Sequence, residues 1–563
     1  MPPLPARSLL ARLVDHGARP AVETALVIAS VAAAWTWHSG PPSAFAFFEN
    51  ALLRAALLGM VAALVAGRDA LARALGETPI AHRLCLAALV AAALALRLAV
   101  EPLPYHAYNW LEGLATRTDP EPEPWWYANG FGVFMRVPML LGLDFERAVF
   151  LGNRVAGALT VLAVYALDRA LFEDRRKALW SAAILAFLPL HVRLSASETM
   201  QILPGLFGVV ALLGFAVHAR TGSRALLAVG ALASLYASLS RPEGALVFAA
   251  APLVYASREG WRRALHPTWL ATMAVTAAVT APLLLHGAQT KLAALPPAPA
   301  GPARFDPLYN LVASLADTGS LSPLPSYVIP LGVAVLVAAG RLGRLASPLA
   351  LLVVLAFLAQ FDQNSANRWQ LIMTRLPLLV LVLSALPGAT LAVLRRFDPS
   401  APWEAALVGA ALALLASTRR SEIYTRVWDQ QEEYRFLRDH RGVLDALGPG
   451  LPLVRATPDR DGSFATFPMY RLRPGTPVSS AGDLLEGRVP LPALWYRGLS
   501  CYRQTSQPDP RDLHHCDDIV GRFVLEPVAT TYLRGAMFSL DVAPSYVQPP
   551  LLVGFYRVTA LRR

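Results

Sequence analysis

The stretch Leu151–Glu198 reads LGNRVAGALTVLAVYALDRALFEDRRKALWSAAILAFLPLHVRLSASE. It contains two apolar runs of the kind that cross a membrane, one on each side of the basic cluster Arg175–Lys177. The second run ends in a polar segment, His191–Glu198. Because basic loops of membrane proteins stay in the cytoplasm, this stretch predicts two antiparallel transmembrane helices that are joined on the cytoplasmic side and end outside at Glu198.

The composition of the whole chain agrees with this interpretation. Of its 563 residues, 55% are hydrophobic and only 16% are charged, whereas a soluble protein carries about 25% charged residues. The net charge is +11, and the basic residues are almost all arginines, with lysine only at Lys177 and Lys291. The arginines lie in short gaps between apolar runs, a distribution that the positive-inside rule explains more simply than nucleic-acid binding does.

The fold class that follows is mainly α: a polytopic helical membrane protein of about thirteen transmembrane helices, with a small C-terminal α+β domain outside the cytoplasm. The first span is interpreted as a retained helix, because further spans follow it where a cleaved signal peptide would be followed by polar chain. The predicted spans are 21–37, 50–67, 82–100, 146–170, 178–192, 199–217, 224–239, 243–257, 268–286, 326–340, 346–360, 371–394 and 403–419.

Every second gap between these spans is basic. The basic gaps carry Arg68, Arg73 and Arg83; Arg175, Arg176 and Lys177; Arg220 and Arg224; Arg258, Arg262 and Arg263; Arg341 and Arg344; and Arg395 and Arg396. The intervening gaps, richer in Pro, Trp, Tyr, Asn and carboxylates, are 101–145, 193–198, 240–242, 287–325 and 361–370. The positive-inside rule therefore predicts a multi-pass protein of the inner cell membrane with a cytoplasmic N-terminus and a periplasmic C-terminal domain.

Three parts are predicted along the chain. Residues 1–79 hold two additional helices and a cytoplasmic loop, residues 80–419 form the membrane domain with large outer loops at 101–145 and 287–325, and residues 420–563 form the soluble domain. An amphipathic helix over 428–447 is expected to lead into that domain, and short apolar runs broken by Pro, Gly and Asp predict its strands.

Two of the three cysteines fall in the soluble domain. Cys501 and Cys516 are expected to form a disulfide if the domain lies outside the cytoplasm, and free thiols if it does not. Cys85 lies inside an apolar run and is interpreted as a core residue.

The first outer loop has the richest chemistry. Its carboxylates and its histidine could accept a proton, and its aromatic rings could stack on a sugar. The same aromatics also fit an interfacial belt, so both interpretations stay open. The candidates are Glu101, His106, Asn109, Glu112, Trp125, Trp126 and Tyr127.

The later outer loops add cations that suit a lipid phosphate and carboxylates that suit a base. Single residues also have ordinary interpretations: an interfacial arginine can extend toward water, and Arg241 and Glu243 can pair with each other. No metal-ligand cluster stands out, so no cofactor is expected. The candidates from these loops are Arg193, Glu198, Arg241, Glu243 and Arg368.

The order of spans, outer loops and polar segments in this chain resembles that of the GT-C superfamily of membrane glycosyltransferases, and within it that of the dolichyl-phosphate-mannose–protein mannosyltransferases. The likeness covers roughly residues 80–395, and its carriers are a large outer loop after a span, Leu151–Glu198, SLSRPEG (238–244) and NRWQLIMTRLP (367–377). The resemblance implies a polyprenyl-phosphate sugar as donor, and a glycan, lipid or protein acceptor outside the cytoplasm.

The chain departs from this family at one position. The family's usual catalytic Asp-Glu pair, aligned on Trp110-Leu111, falls here on His106-Ala107. Glu101, His106 or Glu112 would have to replace it as the base. The resemblance places a second family acid on Glu198 and the phosphate-binding role on Arg241 or Arg368.

The sequence thus favours a hexosyl- or pentosyltransferase in which a carboxylate deprotonates the acceptor hydroxyl and the polyprenyl phosphate leaves, with inversion at the anomeric carbon. Because the Asp-Glu pair is missing, a second alternative is a non-catalytic protein of the same fold that acts in envelope assembly. A transporter or flippase is the third alternative, and charge pairs inside the spans would favour it.

Overall fold

The structure of the protein, a computed structural model, describes residues 42–102, 129–198, 200–259, 266–294, 394–396, 398–403, 429–440, 442, 450–454, 478–498, 501–502, 515–535 and 550–562. The predicted spans 21–37, 326–340 and 346–360 lie outside these residues, as do 371–394 and 403–419 except for one end residue each. The total of about thirteen helices therefore stays a prediction.

The described membrane part consists of α-helices packed side by side. Their bounds are α1 (Pro42–Ala66), α2 (Arg68–Leu75), α3 (Ile80–Ala99), α4 (Gly130–Met139), α5 (Phe145–Phe172), α6 (Arg175–Phe187), α7 (Pro189–Ser195), α8 (Ile202–Thr221), α9 (Arg224–Ser240), α10 (Leu246–Glu259) and α11 (Pro267–Ala294), with a 3₁₀ turn at Pro242–Ala245 between α9 and α10.

Within the described residues, five helical segments are long and apolar enough to cross a membrane. They are Phe47–Ala66, Ile80–Ala99, Glu146–Leu171, Ile202–Thr221 and Pro267–His286. Each coincides with a span predicted from the sequence, so the polytopic helical architecture is confirmed for this part of the chain.

Two features of the helices differ from the sequence prediction. The predicted span 178–192 is divided at Leu188 into α6 and α7, because Pro189 at the start of α7 has no backbone N–H to continue the ladder of α6. Helix α4 lies in the segment 101–145 that was interpreted only as an outer loop.

Helices α8 and α9 form a tight antiparallel pair at the centre of the bundle. Gly214 of α8 lies against Gly230 of α9, and a Cβ on Gly214 would stand 2.6 Å from the backbone nitrogen of Gly230. Both helices carry small residues where they meet, which allows the backbones to approach closely in a membrane. This pairing brings the start of α8 and the end of α9 to the same end of the bundle.

The connecting segments collect at two opposite ends. At one end Arg220 donates to the Ala74 carbonyl at 2.9 Å and pairs with Glu173 at 3.3 Å. At the other end, the Arg154 guanidinium donates to the Val100 carbonyl at 2.8 Å. Among the described residues, the basic gaps at 68–83, 175–177 and 220–224 lie at the first end, and the gaps 193–198 and 240–242 lie at the second, as the alternation predicts. We call the second end the outer end; its orientation toward the periplasm stays a prediction.

The C-terminal residues contain helix α12 and a small sheet with two short helices. The elements are α12 (Asp429–Asp439), β1 (Leu453–Val454), β2 (Val478–Ser479), α13 (Ala481–Leu485), β3 (Ala493–Arg497), α14 (Cys516–Arg522), β4 (Phe523–Leu533) and β5 (Leu551–Leu561). The strand order is β2-β1-β3-β5-β4. Strand β1 is parallel to β2 and β3, whereas β5 is antiparallel to β3 and β4.

A disulfide links Cys501 to Cys516, with their Cα atoms 5.7 Å apart. Both cysteines belong to a hydrophobic cluster that also contains Trp495 and Ile519. The described residues thus contain the strands and helices expected of an α+β unit, while its predicted boundaries, 420–563, and its compartment stay predictions. Cys85 is a free cysteine and is exposed, so its interpretation as a core residue is wrong.

Candidate active site

The outer end of the bundle contains those predicted site residues that the structure describes. Glu101, Arg193, Glu198 and Arg241 are described with their side chains, and Glu243 with its backbone only, in the 3₁₀ turn after α9. The remaining candidates lie outside the described residues: His106, Asn109, Glu112, Trp125, Trp126, Tyr127 and Arg368.

Arg193 and Glu198 belong to the polar segment that follows the break at Leu188. Arg193 lies in the last turn of α7, and its side chain is 5% exposed; Glu198 is 2% exposed. The Asn153 amide of α5 donates to the Ser197 carbonyl at 2.6 Å and so fixes the backbone next to Glu198. The segment predicted as a short outer loop therefore folds inward, and two of its charged side chains are buried at the outer end.

A buried arginine that the sequence interpretation did not select supports this segment. Arg97, near the end of α3, is fully buried. Its guanidinium donates to the Ala186 carbonyl at 3.0 Å, where α6 ends, and lies 2.7 Å from His191 Nδ1 and 3.3 Å from Ser195 Oγ. Arg97 thus joins α3 to the end of α6 and to α7, the helix that carries Arg193.

Arg241 takes its position from the end of α9. Its backbone N–H donates to the Ala237 carbonyl at 3.2 Å, and its side chain is 7% exposed. A Cβ on Gly244 would stand 2.1 Å from the same Ala237 carbonyl, so the turn after Arg241 lies directly on α9. Because α8 and α9 are antiparallel neighbours, Arg241 and Glu198 lie at adjacent helix ends.

Helix α12 reaches the outer end from the C-terminal part of the chain. The Gln431 amide oxygen accepts a hydrogen bond from Arg193 at 3.1 Å. Arg435 forms a two-pronged ion pair with Glu101: Nε donates to Oε1, and Nη2 donates to Oε2 at 2.6 Å. The hydrogen bonds to Glu101 raise the pKa of Arg435 above its usual value. Both oxygens of Glu101 therefore accept hydrogen bonds from one guanidinium group.

The opposite side of α12 contacts the sheet. The Tyr496 hydroxyl of β3 donates to Glu433 Oε1 at 2.7 Å, and the ring of Phe436 stacks on Phe555 of β5 with centroids 5.9 Å apart. Burial and the adjacent Glu433 raise the pKa of Tyr496 well above its ordinary value, so its hydroxyl stays a donor at neutral pH. Helix α12 thus links the sheet to Glu101 and Arg193.

This arrangement suits chemistry on a phosphate ester. Arg193 and Arg241 can neutralise a lipid phosphate, and the carboxylate of Glu198 can accept a proton in the same low-dielectric end of the bundle. Charged side chains buried in a membrane protein often mark functional sites, because their burial is costly. In the part of the chain that the structure describes, no group of three or more metal-ligating side chains comes together.

The residues that the sequence interpretation missed had only weak signals. Arg97 was visible as an arginine at the outer end of a span, where the positive-inside rule does not expect one. Glu49, now found inside α1, was visible as an acid beside a span. Gln431 and Arg435 lie on a helix whose amphipathic pattern was recognised, but the pattern does not reveal its contacts.

Comparison with known proteins bears on the membrane part. Residues 130–286 match the family model described as dolichyl-phosphate-mannose-protein mannosyltransferase. A solved structure, the crystal structure of ArnT from Cupriavidus metallidurans bound to undecaprenyl phosphate, is similar with a TM-score of 0.49 and 13% sequence identity, over 84% of this chain and 97% of that chain. No curated protein matches the chain.

Proposed function

We propose that this chain transfers a sugar from a polyprenyl-phosphate donor to an acceptor outside the cytoplasm. The family match over residues 130–286 confirms the predicted resemblance to the GT-C membrane glycosyltransferases. The donor would enter from the bilayer, and the acceptor would be a glycan, a lipid or a protein of the cell envelope. In this proposal the reaction takes place at the outer end of the bundle, in the inner membrane.

One observation carries the proposal: the range that matches the family contains Arg193, Glu198 and Arg241, and the structure buries all three at the outer end. A family match alone would support the fold. The burial of two guanidinium groups and a carboxylate where a lipid headgroup would lie adds a reason for phosphate chemistry at this place.

The reaction would be a single displacement. Glu198 accepts the proton of the acceptor hydroxyl, whose oxygen forms a bond to the anomeric carbon of the sugar. The bond between that carbon and the phosphate oxygen breaks, and the polyprenyl phosphate leaves with the electron pair. Arg193 and Arg241 neutralise the charge of the leaving phosphate. Attack opposite the leaving group inverts the anomeric configuration. Glu101 acts through its pair with Arg435 and not as the base.

A non-catalytic role in envelope assembly is the second candidate. The sequence observation that favours it is the absence of the family's Asp-Glu pair, for which His106-Ala107 stand here. Such a protein would bind the lipid-linked sugar at the same cations but would not release polyprenyl phosphate.

The test is incorporation of labelled sugar from polyprenyl-phosphate donors into acceptors, in membranes that lack or overproduce the chain. We expect Glu198→Gln and Arg241→Ala to abolish transfer at unchanged protein levels. Matched controls are Glu77→Gln and Arg68→Ala, which replace exposed side chains near the opposite end of the bundle and should leave transfer unchanged. Transfer by Glu198→Gln at the wild-type rate would exclude Glu198 as the base. Donor binding without transfer by the wild type would favour the second candidate.

A further inference from the structure

We propose that helix α1, which precedes the range that matches the family, is part of the framework of the active site. Its residues Glu49 and Asn50 would be positioning residues that hold the first turn of α4 against the end of α9, and thereby set the place of Arg241. The inference rests on the proposed function for the role of Arg241, but its structural part stands on contacts that can be tested separately.

The first contact joins α1 to the start of α4. Glu49 Oε1 accepts a hydrogen bond from the backbone N–H of Asn129 at 2.9 Å, and Asn50 Oδ1 accepts one from the side-chain amide of Asn129 at 2.7 Å. Glu49 and Asn129 are each 1% exposed. A carboxylate at this place also interacts favourably with the positive end of the α4 dipole. Two adjacent residues of α1 therefore hold both the backbone and the side chain of Asn129.

The second contact joins the start of α4 to the end of α9. The Tyr236 hydroxyl donates to the Gly130 carbonyl at 2.7 Å. A Cβ on Gly130 would stand 2.6 Å from the Leu239 carbonyl oxygen and 2.8 Å from the Ser240 nitrogen. Position 130 therefore needs a glycine, because the backbone of α4 touches the backbone of α9 there. Arg241 is the next residue after this contact.

Helix α1 is itself held along α9. Gly67, directly after α1, lies against Leu226 at the start of α9, and Gly59 lies against Leu232 one to two turns further on. Helix α1 thus lies along α9 from Gly67 back to Gly59, and nearer the outer end its residues Glu49 and Asn50 contact Asn129 at the start of α4.

The functional consequence is weaker binding of the donor. If Arg241 binds the donor phosphate and neutralises it as it leaves, then loss of the support from α1 displaces a group that both steps use. A positioning role therefore predicts a higher KM for the donor, accompanied by a lower kcat. A role of Glu49 in stability alone would lower the amount of active protein, and hence the apparent kcat, at unchanged KM.

The experiment compares Glu49→Ala, Glu49→Gln and Asn50→Ala in the full chain in lipid nanodiscs, with Glu77→Ala as the control. We expect Glu49→Ala to raise the donor KM about tenfold, the effect of one lost hydrogen bond to a charged group. Glu49→Gln keeps an oxygen that can accept from the Asn129 N–H and should raise the KM less. A fall in kcat at constant KM, or no change in either, would overturn the proposal.

A second measurement does not depend on any transferase activity. Hydrogen exchange, followed by mass spectrometry of peptides, should show faster exchange across Asn129–Met135 in Glu49→Ala than in the wild type, with peptides from α11 unchanged. Unchanged exchange over 129–135 would contradict the contact itself. If exchange increases but the wild type transfers no sugar, the proposed function fails and the structural inference stands.

Discussion

At the scale of single residues, the polar character of short outer segments was the useful signal. Arg193, Glu198 and Arg241 were predicted because a loop of a few residues between two spans leaves little choice of location, and the structure places all three at the outer end and buries them. Arg97 was not predicted as a site residue. Its four described contacts come from residues 4, 89, 94 and 98 positions away, and only the first of these distances can be read from a helical pattern.

Replacement of Arg97 by lysine tests the support of the polar segment. The guanidinium contacts Ala93, Ala186, His191 and Ser195 at once, whereas a single ammonium group has one nitrogen and cannot span them. We expect Arg97→Lys to destabilise the protein by about 2 kcal/mol or more, measured as thermal unfolding in detergent. Arg83→Lys, at the opposite end of the same helix and exposed, is the matched control. Equal stability of the two variants would mean that Arg97 does not hold the segment.

At the scale of elements, helical periodicity and length predicted five of the described spans well, because each of these five is a long apolar run. Helix α4 and the break before α7 were missed. Helix α4 lies in a segment dominated by Gly, Pro and aromatic residues, and the break depends on one proline inside an apolar run. The amphipathic helix predicted over 428–447 is present as α12, with bounds Asp429–Asp439, and its two contact surfaces could not be assigned from its sequence.

The ion pair between α12 and the first outer loop should affect the transfer activity but hardly the stability of the protein. The side chains of Arg435 and Glu101 are 38% and 34% exposed, so removal of the pair should change stability by less than about 1 kcal/mol. We expect Arg435→Glu to lower transfer several-fold through the displacement of Glu101 and of Arg193, and the double variant Glu101→Arg/Arg435→Glu to recover most of it.

The matched control for this pair is Arg438→Glu on the same helix. Among the described residues, Arg438 pairs with its neighbour Asp439 at 3.0 Å, and its side chain is more exposed than that of Arg435. Its substitution should leave transfer at the wild-type level. Failure of the double variant to recover activity, at normal protein levels, would mean that the ion pair is not what connects α12 to the site.

At the scale of the whole molecule, the alternation of basic and acidic gaps predicted which segments share an end of the bundle. The described contacts agree, since Arg220 reaches Ala74 at one end and Arg154 reaches Val100 at the other. The alternation works because each helix simply crosses from one end to the other. Contacts of α1 and α12 with the site connect residues tens to hundreds of positions apart, so they could not be predicted from local pattern.

The disulfide provides a test of the orientation. Disulfides persist in oxidising compartments, so Cys501 and Cys516 should resist a maleimide reagent in denatured, unreduced cell lysate and react after reduction, whereas Cys85 reacts in both cases. The bridge closes a loop of 15 residues, so the double variant Cys501→Ser/Cys516→Ser should lose about 3 kcal/mol of stability in the sheet. Free Cys501 and Cys516 thiols in unreduced cells would place the sheet in the cytoplasm and reverse the topology.

The central claim is that buried guanidinium groups at the outer end bind the phosphate of a polyprenyl carrier. The most direct measurement is the affinity of the full chain in nanodiscs for polyprenyl phosphate without a sugar. We predict that Arg241→Ala weakens binding by about tenfold or more, as expected for the loss of a charge-assisted contact, and that Arg68→Ala binds like the wild type. Equal affinity of wild type, Arg241→Ala and Arg193→Ala would contradict the account.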